Sequence, residues 1–119
     1  MATIEWIIPI YTVSEANRNE HWTIKKKRID LQKKWIVVFF KKEKATISLP
    51  CEITLTRIGK KKLDSDNLPV SMKWIRDTIA DQLIPGLACG RADDDPRLSW
   101  KYAQEIGKEY GVKISFSSN

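Results

Sequence analysis

Carboxylates cluster in two short segments of this chain, and their spacing suits a metal site. Asp64 and Asp66 flank Ser65, and three consecutive aspartates follow at positions 93 to 95. In an extended segment, residues i and i+2 point to one side with Cα atoms roughly 6.5–7 Å apart, so both carboxylates of the pair can converge on one ion. Carboxylate oxygens are ligands that Mg²⁺ prefers. An isolated Asp-x-Asp is more often only a polar turn and helix cap.

The chain as a whole is basic, with 21 Lys and Arg against 15 Asp and Glu and a formal charge of +6. This balance favours polyanion partners, although a solvated lysine surface gives the same composition. Lys60, Lys61 and Lys62 directly precede the aspartate pair, where they favour contacts with phosphates. Further candidates for nucleic-acid contact are Lys27, Arg28 and Arg91. A basic surface with a local acidic metal site is what a nuclease needs.

Several other classes of protein are not indicated. Cys51 and Cys89 lack the paired spacing of a zinc site, and the single His21 is distant from both. The first residues lack the pattern of a signal peptide, and the longest apolar run, 35–40, is too short to span a membrane. We therefore expect a cytoplasmic, reduced protein with no membrane partner and no organic cofactor.

Periodicity predicts a single α+β domain over residues 1–119, in the order β-α-β-α-β-β, with two helices packed on a mixed sheet. The predicted strands are 3–11, 51–59, 98–105 and 111–117, and the predicted helices are about 20–42 and 67–83. The expected buried face of the first helix is Leu31, Trp35, Val38 and Phe39. That of the second is Leu68, Met72, Ile75, Ile79 and Leu83.

These elements place the aspartate pair at a strand-to-helix junction. Asp66 or Asn67 is the predicted N-cap, and the positive end of a helix favours a charged carboxylate. Lys73 lies seven residues beyond Asp66, two turns along one helical face, and could meet a scissile phosphate. A solvated lysine is the simpler interpretation. The loop 86–96 carries the aspartate triplet, which could supply a third ligand or only a solvated loop.

At this point the sequence resembles the RusA family of Holliday junction resolvases. The resemblance rests on residues 63–68 (Leu-Asp-Ser-Asp-Asn-Leu), on Lys73 with Asp77, and on Asp93-Asp94 before a strand. Residues 14–17 and 19–22, before the basic helix, are similar to the Ser/Asn-rich segment that follows the first strand there. The resemblance covers nearly the whole domain.

The resemblance implies a homodimeric, Mg²⁺-dependent endonuclease that cuts branched DNA at four-way junctions, with Mn²⁺ as a substitute metal. The family is common in phages and prophages. The family's metal-binding carboxylates correspond to Asp64, Asp66 and Asp94, and its essential lysine corresponds best to Lys73. In the type member the lysine follows the motif more closely, at the position of Val70 in this chain. The neighbours Asp93 and Asp95 remain alternatives to Asp94.

Three other functions fit the same residues. The first is a non-catalytic DNA-binding phage accessory protein with a residual acidic site. The second is a metal-dependent nuclease with another preference, for other branched DNA or for RNA. The third is a small interaction module whose acidic loop is only solvated. A cleavage assay on a four-way junction discriminates most of these alternatives.

Overall fold

The chain alternates strands and helices in the expected order. A computed structural model describes residues 2–13, 21–43, 47–86 and 91–118. The elements are β1 (Ala2–Ile8), α1 (Trp22–Glu43), β2 (Cys51–Gly59), α2 (Asn67–Ser71), α3 (Lys73–Leu83), a 3₁₀ turn (Ala92–Asp94), β3 (Leu98–Ile106) and β4 (Gly111–Ser118). The predicted α+β class is confirmed.

The four strands form one mixed sheet in the order β1-β4-β2-β3. β4 is antiparallel to both β1 and β2, whereas β2 and β3 are parallel. The parallel pair is possible because α2 and α3 carry the chain back between the two strands, as parallel neighbours require. β3 and β4 are consecutive in sequence but do not pair, because β2 lies between them. β3 is therefore an edge strand.

The core lies between one face of the sheet and the helices. Alternate residues of every strand point to this face, as the period of two requires. Its fully buried members include Ile8, Ile53, Leu55, Ile114 and Phe116 from the sheet, and Ile36, Met72, Ile75 and Ile79 from the helices. Burying each such side chain stabilises the fold by about 1.5–3 kcal/mol relative to leaving it exposed. The opposite face carries polar residues and ion pairs such as Lys113–Glu105 at 2.8 Å.

Two expectations about the first half of the chain were wrong in detail. β1 ends at Ile8 and not at residue 11, because Pro9 has no N–H to donate to a ladder. On α1, Leu31 and Val38 are 57% and 42% exposed, while Gln32 and Ile36 are buried. Apolar side chains surround the helix over residues 35–40, so periodicity alone does not select the face that packs on the sheet.

The second predicted helix consists of two parts that meet at Met72, which has φ −102° and ψ 1°. Its N–H bonds to the carbonyl oxygen of Pro69 at 3.1 Å, three residues back, which tightens the turn there. Four of the five predicted core residues, Leu68, Met72, Ile75 and Ile79, are buried, and Leu83 is partly buried. The break means that positions before and after Met72 do not follow one straight helical face.

Some expectations fall on residues outside the described ranges. They are most of the predicted loop 12–20, the start of the first helix at Glu20, the family-like segment 14–17 with Asn19 and Glu20, and Cys89. Within the described ranges, no helix combines the length and the apolar character that crossing a bilayer requires.

Candidate active site

The helix-covered face of β3 connects the two acidic segments. Trp100, Tyr102 and Gln104 point to this face because they are two residues apart. Trp100 Nε1 donates to the carbonyl oxygen of Asp93 at 3.0 Å, and Gln104 bonds to Leu63. The two attachments are four positions apart on the strand, or about 13 Å at the usual rise per residue. The aspartate triplet and the Asp64–Asp66 segment therefore lie along one edge strand.

The segment before Asp64 is fixed by the side chain of Gln104. The Leu63 N–H donates to Gln104 Oε1 at 2.8 Å, and Gln104 Nε2 donates to the Leu63 carbonyl oxygen at 2.9 Å. A side-chain amide has a donor and an acceptor, so it can satisfy both backbone groups of one residue. The sheet thereby determines where the acidic segment begins.

Asp64 and Asp66 form the turn that starts α2. The Asp64 carbonyl oxygen accepts hydrogen bonds from the N–H groups of Asn67 and Leu68, at 3.0 and 3.1 Å. Asp66 occupies the predicted N-cap position, but its side chain makes no capping hydrogen bond. Both aspartates are exposed, and the described residues give neither carboxylate an ion-pair partner. The backbone is thus ordered while both carboxylates remain accessible.

A buried arginine anchors the lysine-rich loop in front of this turn. Arg57 is 6% exposed, and its Nη1 donates to the Lys61 carbonyl oxygen at 2.7 Å. Its Nε and Nη2 donate to the hydroxyl and the carbonyl oxygen of Thr12, at 3.1 and 3.4 Å. A Cβ at Gly59 would lie 2.8 Å from Arg57 Nη1, so glycine leaves room for the guanidinium. The side chains of residues 60–62 are exposed.

The three aspartates of the triplet have different environments. The Asp93 carboxylate lies 3.2 Å from Arg76 Nε and is 18% exposed. The two oxygens of Asp95 accept from the backbone N–H, Nε and Nη2 of Arg97, which lowers the pKa of Asp95 to about 2. Asp94 is 90% exposed, and its closest described cationic atom is Arg76 Nη2 at 3.9 Å. Of the three, Asp94 has the most accessible carboxylate.

Lys73 begins α3 and is exposed. Its Nζ lies 4.8 Å from the centroid of the Trp74 ring, and Lys33 Nζ lies 5.4 Å from the same ring. Burial raises the pKa of Asp77, the negative charge of Asp93 raises it further, and the positive charge of Lys73 opposes this shift. The described contact of Lys73 is therefore with the Trp74 ring, its charge also acts on Asp77, and its role towards a phosphate stays a prediction.

The remaining predicted nucleic-acid residues lie on two elements. Lys27 is exposed in the first half of α1, and the neighbouring Arg28 is partly buried beside Tyr11 and Trp35. Arg91 is exposed directly before the 3₁₀ turn, next to the aspartate triplet. Arg91 thus lies near the acidic edge, whereas Lys27 and Arg28 lie on α1.

The carboxylates of this edge are oxygen donors of the kind that Mg²⁺ binds, but they are spread out. In the part of the chain that the structure describes, no three His, Cys, Asp or Glu side chains are close enough together to hold an ion. Mg²⁺ usually keeps several waters and binds through one or two carboxylates plus substrate phosphates, so a complete protein cage is not required. Asp64, Asp66 and Asp94 offer accessible carboxylates of this kind.

Sequence reasoning missed Arg76, Tyr102 and Gln104. Alternation along the predicted strand 98–105 places Trp100, Tyr102 and Gln104 on one face, so that signal was present in the sequence. Arg76 had no such signal, because its contact with Asp93 joins residues 17 positions apart. Neither the protein-family models nor the curated proteins include a match to this chain. RusA-family membership thus remains a prediction from the motif residues.

Proposed function

We propose that this protein is a Mg²⁺-dependent endodeoxyribonuclease that resolves four-way DNA junctions in recombination and repair. The observation that carries the proposal is the set of exposed carboxylates, Asp64, Asp66 and Asp94, attached along one edge strand beside the exposed lysines 60–62. Resolution of a junction needs two cuts, so the proposal includes a homodimer with one site in each subunit.

Each residue has a separate role in this proposal. Asp64 and Asp66 would hold Mg²⁺, or Mn²⁺ in its place, from the start of α2, and Asp94 would contribute from the 3₁₀ turn. A bound divalent ion supplies a more acidic water and stabilises negative charge on the phosphoryl and leaving oxygens. Lys73 would add positive charge near the reacting phosphate. Lys60, Lys61 and Lys62 would bind the DNA backbone without reading its sequence.

The choice of substrate follows from charge and from the motif. Exposed carboxylates beside exposed lysines on one edge suit a large polyanion. The preference for a four-way junction comes from the resemblance of residues 63–68, Lys73 and Asp94 to the resolvase motif. A different branched substrate or an RNA remains the alternative for the same metal chemistry.

The test is a cleavage assay with a synthetic four-way junction and a linear duplex, each with Mg²⁺ and with EDTA. Symmetric paired nicks on the junction alone, dependent on Mg²⁺, are the expected result. Asp66→Asn should abolish cleavage while binding of the junction persists, because a metal ligand is lost but the lysines are not. If Asp66→Asn cuts at the parent rate, the assignment of the metal site is wrong.

Other outcomes identify the alternatives. An uncut junction that is bound with nanomolar affinity in Mg²⁺ would favour a non-catalytic DNA-binding protein. Cleavage of flaps or of RNA in preference to the junction would favour a nuclease of different specificity. Absence of both binding and cleavage would favour an interaction module with a solvated acidic loop.

A further inference from the structure

Arg76 lies between the two acidic segments and joins three elements. It belongs to the first turn of α3, and its Nη1 donates to the Tyr102 hydroxyl at 3.0 Å. Its Nη2 donates to the Asp93 carbonyl oxygen at 3.4 Å, and its Nε lies 3.2 Å from Asp93 Oδ2. Arg76 Cζ lies over the Trp100 ring, 4.8 Å from its centroid. One side chain thus links α3, the 3₁₀ turn and β3.

These contacts restrain Asp93 in two ways. Its carboxylate is paired with Arg76, and its carbonyl oxygen accepts from both Arg76 Nη2 and Trp100 Nε1. Asp94 follows directly, and Arg76 reaches its carboxylate only at 3.9 Å. Arg76 is thus closer to the Asp93 carboxylate, in an ion pair whose Nε makes no hydrogen bond, than to the Asp94 carboxylate, which stays accessible.

Only arginine can make this set of contacts. Its planar fork presents five N–H donors in fixed directions and also stacks on an aromatic ring. A lysine ammonium keeps the charge but cannot bridge the Asp93 carboxylate, the Asp93 carbonyl and the Tyr102 hydroxyl while also lying over the Trp100 ring. The substitution Arg76→Lys thus keeps the positive charge and removes the hydrogen-bonding geometry of the guanidinium.

We infer that Arg76 is a positioning residue for the proposed divalent-cation site: it holds Asp93 against β3, so that Asp94 keeps its carboxylate accessible to the ion. The inference rests on the proposed function, because it concerns the same ion. Groups that orient a metal ligand typically change metal affinity by about 10- to 100-fold when they are altered.

The experiment measures Mn²⁺ binding by the electron paramagnetic resonance signal of the free ion, for the protein alone and for its complex with an uncleavable four-way junction, whose phosphates can complete the coordination without turnover. The same junction without protein is the blank. Arg76→Lys is expected to weaken Mn²⁺ binding by about 10-fold, since the ammonium does not hold Asp93 in place. The matched control is Arg97→Lys, which loosens Asp95 in the same loop and should change the affinity by no more than about twofold. Thermal unfolding of each variant separates loss of affinity from loss of fold.

Three results would overturn the inference. Equal Mn²⁺ affinities for Arg76→Lys and Arg97→Lys would show that Arg76 has no special influence on the ligands. Tighter binding by Arg76→Lys would show that Arg76 competes with the ion. If Arg76→Lys does not fold, the Tyr102→Phe variant is measured in its place, because it removes one contact of the guanidinium. A Mn²⁺ affinity of Tyr102→Phe equal to that of the parent then refutes the inference.

Failure of the proposed function has a different signature. If the parent binds no Mn²⁺, or if Asp94→Asn binds it as the parent does, the metal site itself is wrong and the inference falls with it. If Asp94→Asn weakens binding while Arg76→Lys does not, the site stands and only the role of Arg76 is refuted.

Discussion

Replacement of Gln104 by alanine tests whether the sheet determines the position of the acidic segment. The change removes two neutral hydrogen bonds, of 2.8 and 2.9 Å, to the backbone of Leu63. Each such bond stabilises a protein by about 0.5–1.5 kcal/mol, which gives a total loss of about 1–3 kcal/mol. Leu63 is partly exposed, so water can replace both partners, and we expect the lower half of this range.

Two measurements check this expectation directly. Urea denaturation should show a free energy of unfolding lower by about 1–2 kcal/mol for Gln104→Ala. Hydrogen exchange at the Leu63 amide should be faster by a factor of about 5–30, which corresponds to the same energy. Ser99→Ala, on the opposite face of β3 and exposed, is the matched control and should change neither quantity appreciably.

The rate of junction cleavage by Gln104→Ala tests whether the anchoring of Leu63 matters for catalysis. A misplacement of about 1 Å in a catalytic group can reduce a rate about 100-fold, so Gln104→Ala should cut a four-way junction more slowly by about 10- to 100-fold. Binding of the junction should change little, because the lysines remain. An unchanged exchange rate at Leu63 would refute the anchoring role. Faster exchange with an unchanged cleavage rate would refute the link between anchoring and catalysis.

Two further predictions concern charge. Reversal of charge at both Lys61 and Lys62 should weaken DNA binding. It should also reduce the slope of log affinity against log salt concentration by roughly 2, because each phosphate contact contributes about 0.9. An unchanged slope in a salt titration would exclude these contacts. The paired Asp95 carboxyl should titrate in carbon NMR with a pKa of about 2, and Arg97→Ala should raise this pKa towards its ordinary value. Since the folded-state pKa is depressed, the stability from this pair is present above the unfolded pKa of about 3.9 and is lost as the pH falls towards 2. A midpoint that does not move in Arg97→Ala would contradict the pairing.

Local sequence patterns predicted the strands and helices well, because strand and helix formation depends on residues a few positions apart. Alternation of Cys51, Ile53 and Leu55 marked β2 and its buried face, and all three are buried. Pro50 and Gly59 marked the bounds of the strand. The same reasoning failed on α1, where the apolar run 35–40 surrounds the helix. There the sheet and α3 decide which residues are covered, and Leu31 and Val38 remain exposed.

The sequence by itself determined the α+β class, the turn at Asp64–Asp66 before a helix, and the candidate metal-binding residue types. Those features depend on neighbours within a few positions. Only the tertiary structure decided that β3 is an edge strand, that Gln104 holds Leu63 across 41 positions, and that Arg76 binds Asp93 across 17. Contacts between residues so far apart in the sequence depend on how the parallel β2–β3 pair and α3 are packed. No periodicity along the chain encodes that packing. For the same reason the sequence favoured Asp94 over Asp93 and Asp95 only through the resemblance to the resolvase motif, whereas Arg76 and Arg97 give the three aspartates different environments.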